Sequence, residues 1–475
     1  MSTAVMRHGA ALAAAVTLIL MPMAAAADEE SRSLWITSGE VGVGPIDEDV
    51  FLHLTPRLTF LRPAPLMLCD DTRPQACETF FEFSLQVPLR FRIADREPVQ
   101  DERLRREDWH DTSDFFRIIR RIEYGSSRDP VHLRAGEIGP VQLGNASIVN
   151  GYYNVITTDH YQLGMQGYID KPKGGVEFFT NDLTRPNLFG LRARARPSKL
   201  YDSNSDQRRF TLGATVVTDT TAPTRLEAVG DELASVGADR RPVVDTRRST
   251  LIYGADIQWE ALRYETWSLT PFVDFNHHIR LGNGVHMGLL WDQNIGERLR
   301  LSSRLEYRLL LSQYLPDYID PLYEITRLQH RAFDSPDLAG PKLTAAASME
   351  SRTRHGGFGQ FQARFSELLT LSAALSDASG ATGAALRLRA SVDYGERARA
   401  GLFYYQFAPG ERRFSQTPAA LLTLDGALVA SEARVAIWGP LYAHSQLARQ
   451  WRLRDDGRFE NIHLWNAGLG AGATF

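Results

Sequence analysis

Residues 298–309, RLRLSSRLEYRL, decide the fold. At a period of two, Leu299, Leu301, Ser303, Leu305, Tyr307 and Leu309 fall on one face. Arg298, Arg300, Ser302, Arg304, Glu306 and Arg308 fall on the other. A helix would spread these charges around its circumference, whereas a strand sends successive side chains to opposite sides. The run also has the length of a tilted strand that crosses a membrane, roughly nine to eleven residues.

The pattern recurs on both sides of this stretch. Leu386, Leu388, Ala390, Val392 and Tyr394 stand opposite Arg387, Arg389, Ser391 and Asp393. Phe83, Leu85, Val87, Leu89 and Phe91 stand opposite Ser84, Gln86, Pro88 and Arg90. Further segments read as strands at 33–41, 50–61, 131–137, 160–170, 174–181, 188–196, 209–218, 250–260, 267–276 and 285–292. Beyond residue 340 they continue at 343–351, 358–366, 369–376, 399–407, 430–438, 441–453 and 463–475. Residues 115–124, FFRIIRRIEY, fit a strand and a short amphipathic helix equally. Short breakers such as Pro172-Lys173-Gly174, Gly395-Glu396 and Gly439-Pro440 suit tight turns. Long polar connections fall at 94–113, 219–248, 313–341 and 408–429. Counting strands back from Phe475 places 408–429 outside but 313–341 on the opposite side, so the list contains one strand too many or too few.

Polar faces with large charges in register suit a water-filled lumen, and a sheet in lipid must close on itself to satisfy its backbone. The expected fold is therefore all-β, a single transmembrane antiparallel β-barrel of about 20 strands (16–22) with long external loops. Trp35, Tyr124, Trp259, Trp267, Trp291, Tyr307, Trp438, Trp451 and Trp465 near strand ends suit headgroup-level aromatic belts.

The amino terminus adds a destination. Arg7 and His8, the uncharged run from Ala10 to Met21 and Ala24-Ala25-Ala26-Ala27 read as a signal peptide over residues 1–27, leaving 28–475 as the barrel. Its removal takes away one Arg and no acid, moving the net charge from −4 to −5. That mild acidity argues against nucleic acid as a partner. In an exported chain Cys69 and Cys77 are expected to close a small disulfide loop.

The final segment, Gly468-Leu469-Gly470-Ala471-Gly472-Ala473-Thr474-Phe475, resembles the carboxy-terminal assembly signal of bacterial outer-membrane β-barrel proteins, with Gly470, Ala473 and Phe475 at the matching positions. The resemblance implies the bacterial outer membrane as location and the barrel-assembly machinery as a partner during biogenesis. Residues 134–154 resemble a motif of an uncharacterised subgroup of such barrels. In that motif Arg134-x-Gly136 leads to Leu143-Gly144-x-Ala146, Ile148-Val149 and Tyr152-x-Asn154, with Ala146 where a second Gly is usual. This likeness implies no biochemical activity.

Residues 138–156 interrupt the alternation with Gly, Asn and Pro and with small uncharged side chains. They either fold into the lumen as a pore-narrowing segment, presenting Asn145, Ser147, Asn150, Tyr152 and Asn154, or form an ordinary turn or surface loop. The charged strand faces make Arg90, Arg92, Arg300, Arg304, Glu306, Arg308, Arg387, Arg389 and Asp393 candidate pore-lining residues, with Asp256 among them. The same charges could instead fill a closed interior with ion pairs.

No Gly-x-Ser-x-Gly motif is present. Asp274, Asn276 and His278 alternate away from Val273, Phe275 and His277, as on a strand running into a wet rim. Adjacent His277 and His278 point to opposite faces and suit no common metal. The expectation is a porin-like channel for passive diffusion of small hydrophilic solutes, not an enzyme, with no cofactor and with outer-membrane lipid around it. A structural or adhesion barrel with a closed lumen is the alternative, and an outer-membrane hydrolase comes third.

Overall fold

The computed structural model describes residues 33–474 apart from 47, 66–77, 96–102, 110–111, 128, 158, 202–209, 230–232, 238–240, 332–338, 379–383, 396, 409–420, 425 and 456. Residues 1–27, expected to be a signal peptide, and Cys69, Cys77 and Phe475 lie outside the described residues.

Twenty staves form one closed antiparallel barrel. They begin with β1 (Leu34–Ile46), β2 (Asp49–Pro65), β3 (Glu78–Gln86 and Leu89–Ala94), β4 (Ile119–Tyr124), β5 (Val131–Gly136), β6 (Gly164–Lys171) and β7 (Gly174–Thr180). Next are β8 (Leu188–Ala195), β9 (Phe210–Leu226), β10 (Val244–Trp259 and Leu262–Arg263), β11 (Trp267–His278), β12 (Gly282–Ile295) and β13 (Leu299–Ser312). The circuit finishes with β14 (Arg354–Phe365), β15 (Leu369–Ala378), β16 (Ala384–Tyr394), β17 (Ala398–Ala408), β18 (Leu428–Trp438), β19 (Leu441–Leu453) and β20 (Phe459–Thr474). Each stave pairs with its chain neighbours, and β20 closes the ring on β1 with Leu469 opposite Val41 and Gly470 opposite Glu40. Closure leaves no edge, which is what a sheet surrounded by hydrocarbon requires.

Two expectations from the sequence need correction, and one stretch left open between strand and helix proves to be both. The segment 343–351 is not a strand: Lys342–Ala347 is a short helix following Pro341. Leu343, Ala345, Ala347 and Met349 mimic alternation, but an alanine-rich run after a proline starts a helix at little cost. Removing that strand sends the whole 313–353 connection to the end that holds the other long connections. The run 83–91 is not continuous, because Pro88 has no N–H to give the ladder and β3 breaks at Val87-Pro88. Residues 115–124 divide: helical turns occupy Thr112–Phe115 and Phe116–Ile118, and the stave begins at Ile119.

Connections 95–118, 137–163, 227–243, 313–353 and 409–427 share one end of the barrel. The other end is closed by brief turns such as 172–173, 296–298, 366–368 and 439–440.

On β13, Leu305 and Tyr307 are 58% and 45% exposed, while Arg304, Glu306 and Arg308 are buried. The same division holds on β11, where Val273 and Phe275 face out and Asp274, Asn276 and His278 face in. Large apolar side chains are thus exposed around the outer wall, the arrangement of a membrane-spanning barrel. Trp35, Trp259, Trp438 and Trp465 belong to that outer face. Trp451 does not: it packs inward with Ile156, Leu322 and Ile325.

Candidate functional site

The lumen at the long-loop end is filled by two inserted connections. The first is 137–163, which runs inward from β5 before returning to β6. Its turn at 143–146 places Gly144 at φ 55° and Ala146 at the same left-handed φ of 55°. A Cβ on Gly144 would stand 2.4 Å from Nε of Arg192, so the backbone approaches the wall as only glycine allows. Asn154, buried, ties the segment together. Its Oδ1 accepts from the Ile138 N–H at 2.9 Å, and its Nδ2 lies within donating reach of the carbonyls of Gln162 at 2.8 Å, Asn181 at 3.2 Å and Gly136 at 3.3 Å.

Contacts to the wall extend from β7 to β17. The Gly144 N–H donates to Glu177 at 3.0 Å, and Gln258 Nε2 donates to Asn145 Oδ1 at 2.9 Å. Ser147 donates to Asp274 at 2.5 Å and accepts from Asn276 at 2.9 Å. Arg387 Nη1 reaches the Asn150 carbonyl at 3.3 Å, and the Tyr153 ring meets Phe403 edge-on at 5.3 Å. A segment that touches so many staves crosses the lumen.

The second insertion, described over 313–331 and 339–349, is joined to the first by backbone bonds. Asp317 N–H donates to Ser147 O at 3.0 Å, Ile319 N–H to Ile148 O at 3.1 Å, and Asn150 N–H to Ile319 O at 3.0 Å. Ile138, Leu143, Val149, Tyr152, Leu315, Ile319 and Tyr323 form one apolar cluster with wall residues Phe179, Leu188, Val217 and Ile252. Ion pairs surround it: Arg308 with Asp317 at 2.8 Å, Arg327 with Asp219 at 3.1 Å, and Lys342 with Asp320 at 2.6 Å. Tyr152 donates to Glu324, which also accepts from Gln162. Burial pushes the Glu324 carboxyl above the usual carboxylate range; Arg327 and Tyr152 oppose this, and Asp219 adds to it.

A third inward element carries Asp108. Arg90, Arg105 and Arg117 reach its Oδ1 at 2.6, 2.6 and 2.8 Å. Burial alone would raise this carboxyl, but the three guanidinium groups outweigh it and hold it below the carboxylate range. Arg105 also pairs with Asp159 at 2.5 Å, linking this loop to the 137–163 insertion.

Beside the insertions lies a cavity of about 540 Å³. Arg185, Arg241, Arg247 and Arg327 line it with Asn187, and Glu324 is its one carboxylate among the described residues.

The remaining candidate residues are spread along the wall. Arg92 pairs with Asp49 at 3.0 Å beside the Phe51 ring. Arg304, Glu306 and Arg308 form a buried chain on β13, with His286 3.5 Å from Glu306. Arg300 pairs with Asp292 and Asp393 with Arg399, all exposed near the short-turn end. Arg389 is exposed as well. Gly470 lies against the Tyr442 ring, and Ala473 pairs with Thr37 on β1.

Arg192, Asp219, Asp317, Glu324 and Arg327 escape a reading from pattern alone. Arg192 had a signal, since Leu188–Ala195 alternates cleanly. Asp317, Glu324 and Arg327 had none, because their connection shows no period. No group of His, Cys, Asp and Glu able to hold a metal occurs among the described residues.

No family model matches the chain, and no curated protein matches it. Solved structures do. OpdK from Pseudomonas aeruginosa, crystallised with vanillate, aligns at 9% identity over 93% of this chain and 99% of its own, with a TM-score of 0.33. OccAB4 from Acinetobacter baumannii aligns at 9% identity over 94% and 100%, with a TM-score of 0.34. OccK2 (OpdF) from Pseudomonas aeruginosa aligns at 10% identity over 94% and 98%, again at 0.34. Identity and TM-score are both low, and the fold rests on the closed strand pairing itself.

Proposed function

We propose that the protein is a porin-like channel of the bacterial outer membrane that lets small hydrophilic solutes diffuse through, with a preference for anions. One observation carries this reading: the cavity beside the insertions is lined by Arg185, Arg241, Arg247 and Arg327, the last paired with Asp219, and by the Glu324 carboxylate. A low-dielectric wall focuses such a field and raises the local concentration of anions. The inward charges of the wall supply a polar path, and residues 138–156 with 313–349 set its narrowest part. Insertion from the periplasm by the barrel-assembly machinery, with lipid against the apolar outer face, belongs to the same reading.

Conductance of the purified protein in a planar bilayer tests it. Current with a reversal potential favouring anions is expected, and Arg241→Glu with Arg247→Glu should shift that potential toward cations. Absence of current at every salt concentration, from the whole chain and from a chain with 140–152 replaced by a short Gly-Ser link, would sink the channel reading.

A second reading has its own observation. The two insertions are hydrogen-bonded to each other and to much of the wall, as a permanent plug would be. A structural barrel with a closed lumen predicts silence in the same bilayer experiment.

A further inference from the structure

We propose that Glu324 is a proton-controlled selectivity residue of the cavity beside the insertions, so that the preference for anions strengthens when this one side chain takes up a proton. The inference deepens the channel reading and rests on it.

Glu324 stands where the two insertions meet. It belongs to the helical turn Tyr323–Thr326 of the second, and it accepts from two residues of the first. The Tyr152 hydroxyl donates to Oε1, and Gln162 Nε2 donates to Oε2 at 3.3 Å. The side chain is 9% exposed and lines the cavity. Its cation is Arg327, whose Nη1 lies 3.7 Å from Oε2, too far for a hydrogen bond. That guanidinium is committed elsewhere. Nη2 pairs with Asp219 at 3.1 Å, and Nη1 donates to Asn187 Oδ1 at 3.1 Å.

The other inward carboxylates are held differently. Asp108 receives three guanidinium groups, and Glu306 lies between Arg304 and Arg308. Asp317 and Asp320 contact Arg308 and Lys342 directly. Glu324 has two neutral donors and a share in one arginine. A carboxyl taken out of water without a cation of its own is readily neutralised by a proton. Burial outweighs Arg327, Tyr152 and Gln162 here, and Asp219 adds to it, which places this carboxyl above the usual carboxylate range.

The charge on Glu324 acts on whatever occupies the cavity. Around it stand Tyr152 and His160 of the first insertion, Arg327 of the second, Arg185 of the 181–187 connection, Arg241 and Arg247. Asp219 of β9 lies behind Arg327 and also accepts from Tyr323 at 2.8 Å. Ionised, Glu324 opposes the arginines in their attraction for an anion. Protonated, it leaves them unopposed, while its carbonyl oxygen still accepts from Tyr152 and keeps the insertions joined. Loss of one unit charge a few ångströms from a passing ion is worth about fivefold in relative permeability.

Reversal potentials of the full chain in a planar bilayer under a potassium chloride gradient, taken from about pH 8 to about pH 4, test the role. The anion-to-cation permeability ratio of wild type should rise about fivefold as pH falls, with its midpoint above the ordinary carboxylate range. Glu324→Gln should show the acid ratio at every pH. His160→Asn should keep the shift, because the imidazole is not its source. Tyr152→Phe removes a donor to the ionised form and should move the midpoint to higher pH. It decides the matter if heat-modifiable gel migration shows that Glu324→Gln does not form the barrel. A ratio independent of pH, a shift that survives Glu324→Gln or is lost in His160→Asn, or a midpoint that Tyr152→Phe leaves in place overturns the role of Glu324 and leaves the channel reading intact. Absence of current at every salt concentration would instead remove the channel reading, and this inference with it.

Discussion

Asn154, itself buried, holds backbone groups of Gly136, Ile138, Gln162 and Asn181, and so ties the first insertion together. Asn154→Ala leaves a buried N–H unpaired, at a cost of about 1–3 kcal/mol. Faster cleavage of 137–163 in limited proteolysis is expected, with the barrel itself intact. Ala146 presents the opposite case. Its φ of 55° is a conformation that costs an L-residue roughly 1–2 kcal/mol. Ala146→Gly should slow the same cleavage, since relief of that strain exceeds glycine's smaller entropic penalty. The motif reading had already marked this position as the one where glycine is usual, and the backbone angle supplies the reason.

At the scale of the element, β13 separates two environments with a single residue step. Leu305→Arg puts a charge on the outward face near mid-stave and should cost about 2–4 kcal/mol in urea unfolding from vesicles. Ser302→Arg, which adds a charge to the inward face near the short-turn end, should cost far less. The loop holding Asp108 has a definite pH dependence. Its carboxyl lies lower in the folded protein than in the unfolded chain, where it titrates near about 3.9. The ionised form therefore stabilises the loop above that pH, and the contribution is lost as pH falls through the folded value. Protease sensitivity of residues 103–118 should be flat from neutral pH to about 5 and rise only below about 4. An onset near pH 6 would point to a histidine instead.

For the whole molecule, the two insertions decide how much of the lumen is available. Residues 137–163 and 313–349 are tied together through three backbone hydrogen bonds, so removing part of one should loosen both. Replacing 140–152 with a short Gly-Ser link is expected to raise single-channel conductance several-fold and reduce the anion preference. Unchanged conductance would place the narrowest point elsewhere along the wall.

Alternation by itself determined the barrel, because a strand between water and lipid must sort its side chains at a period of two. Leu305 facing out and Glu306 facing in follow from residues 298–309 alone. The same rule failed at 343–351, where an alanine-rich helix carries a period-two pattern by chance, and at Pro88, where a missing N–H breaks a stave that the apolar pattern runs through. What fills the lumen was decided only by tertiary structure. Asp317, Glu324 and Arg327 sit in a connection without periodicity; Tyr152 is 172 residues from Glu324 and Asp219 is 108 from Arg327, while Arg308, nine residues from Asp317, lies on a stave of the wall. Contacts of that kind depend on how a chain folds back into an already closed ring, and no local pattern records them.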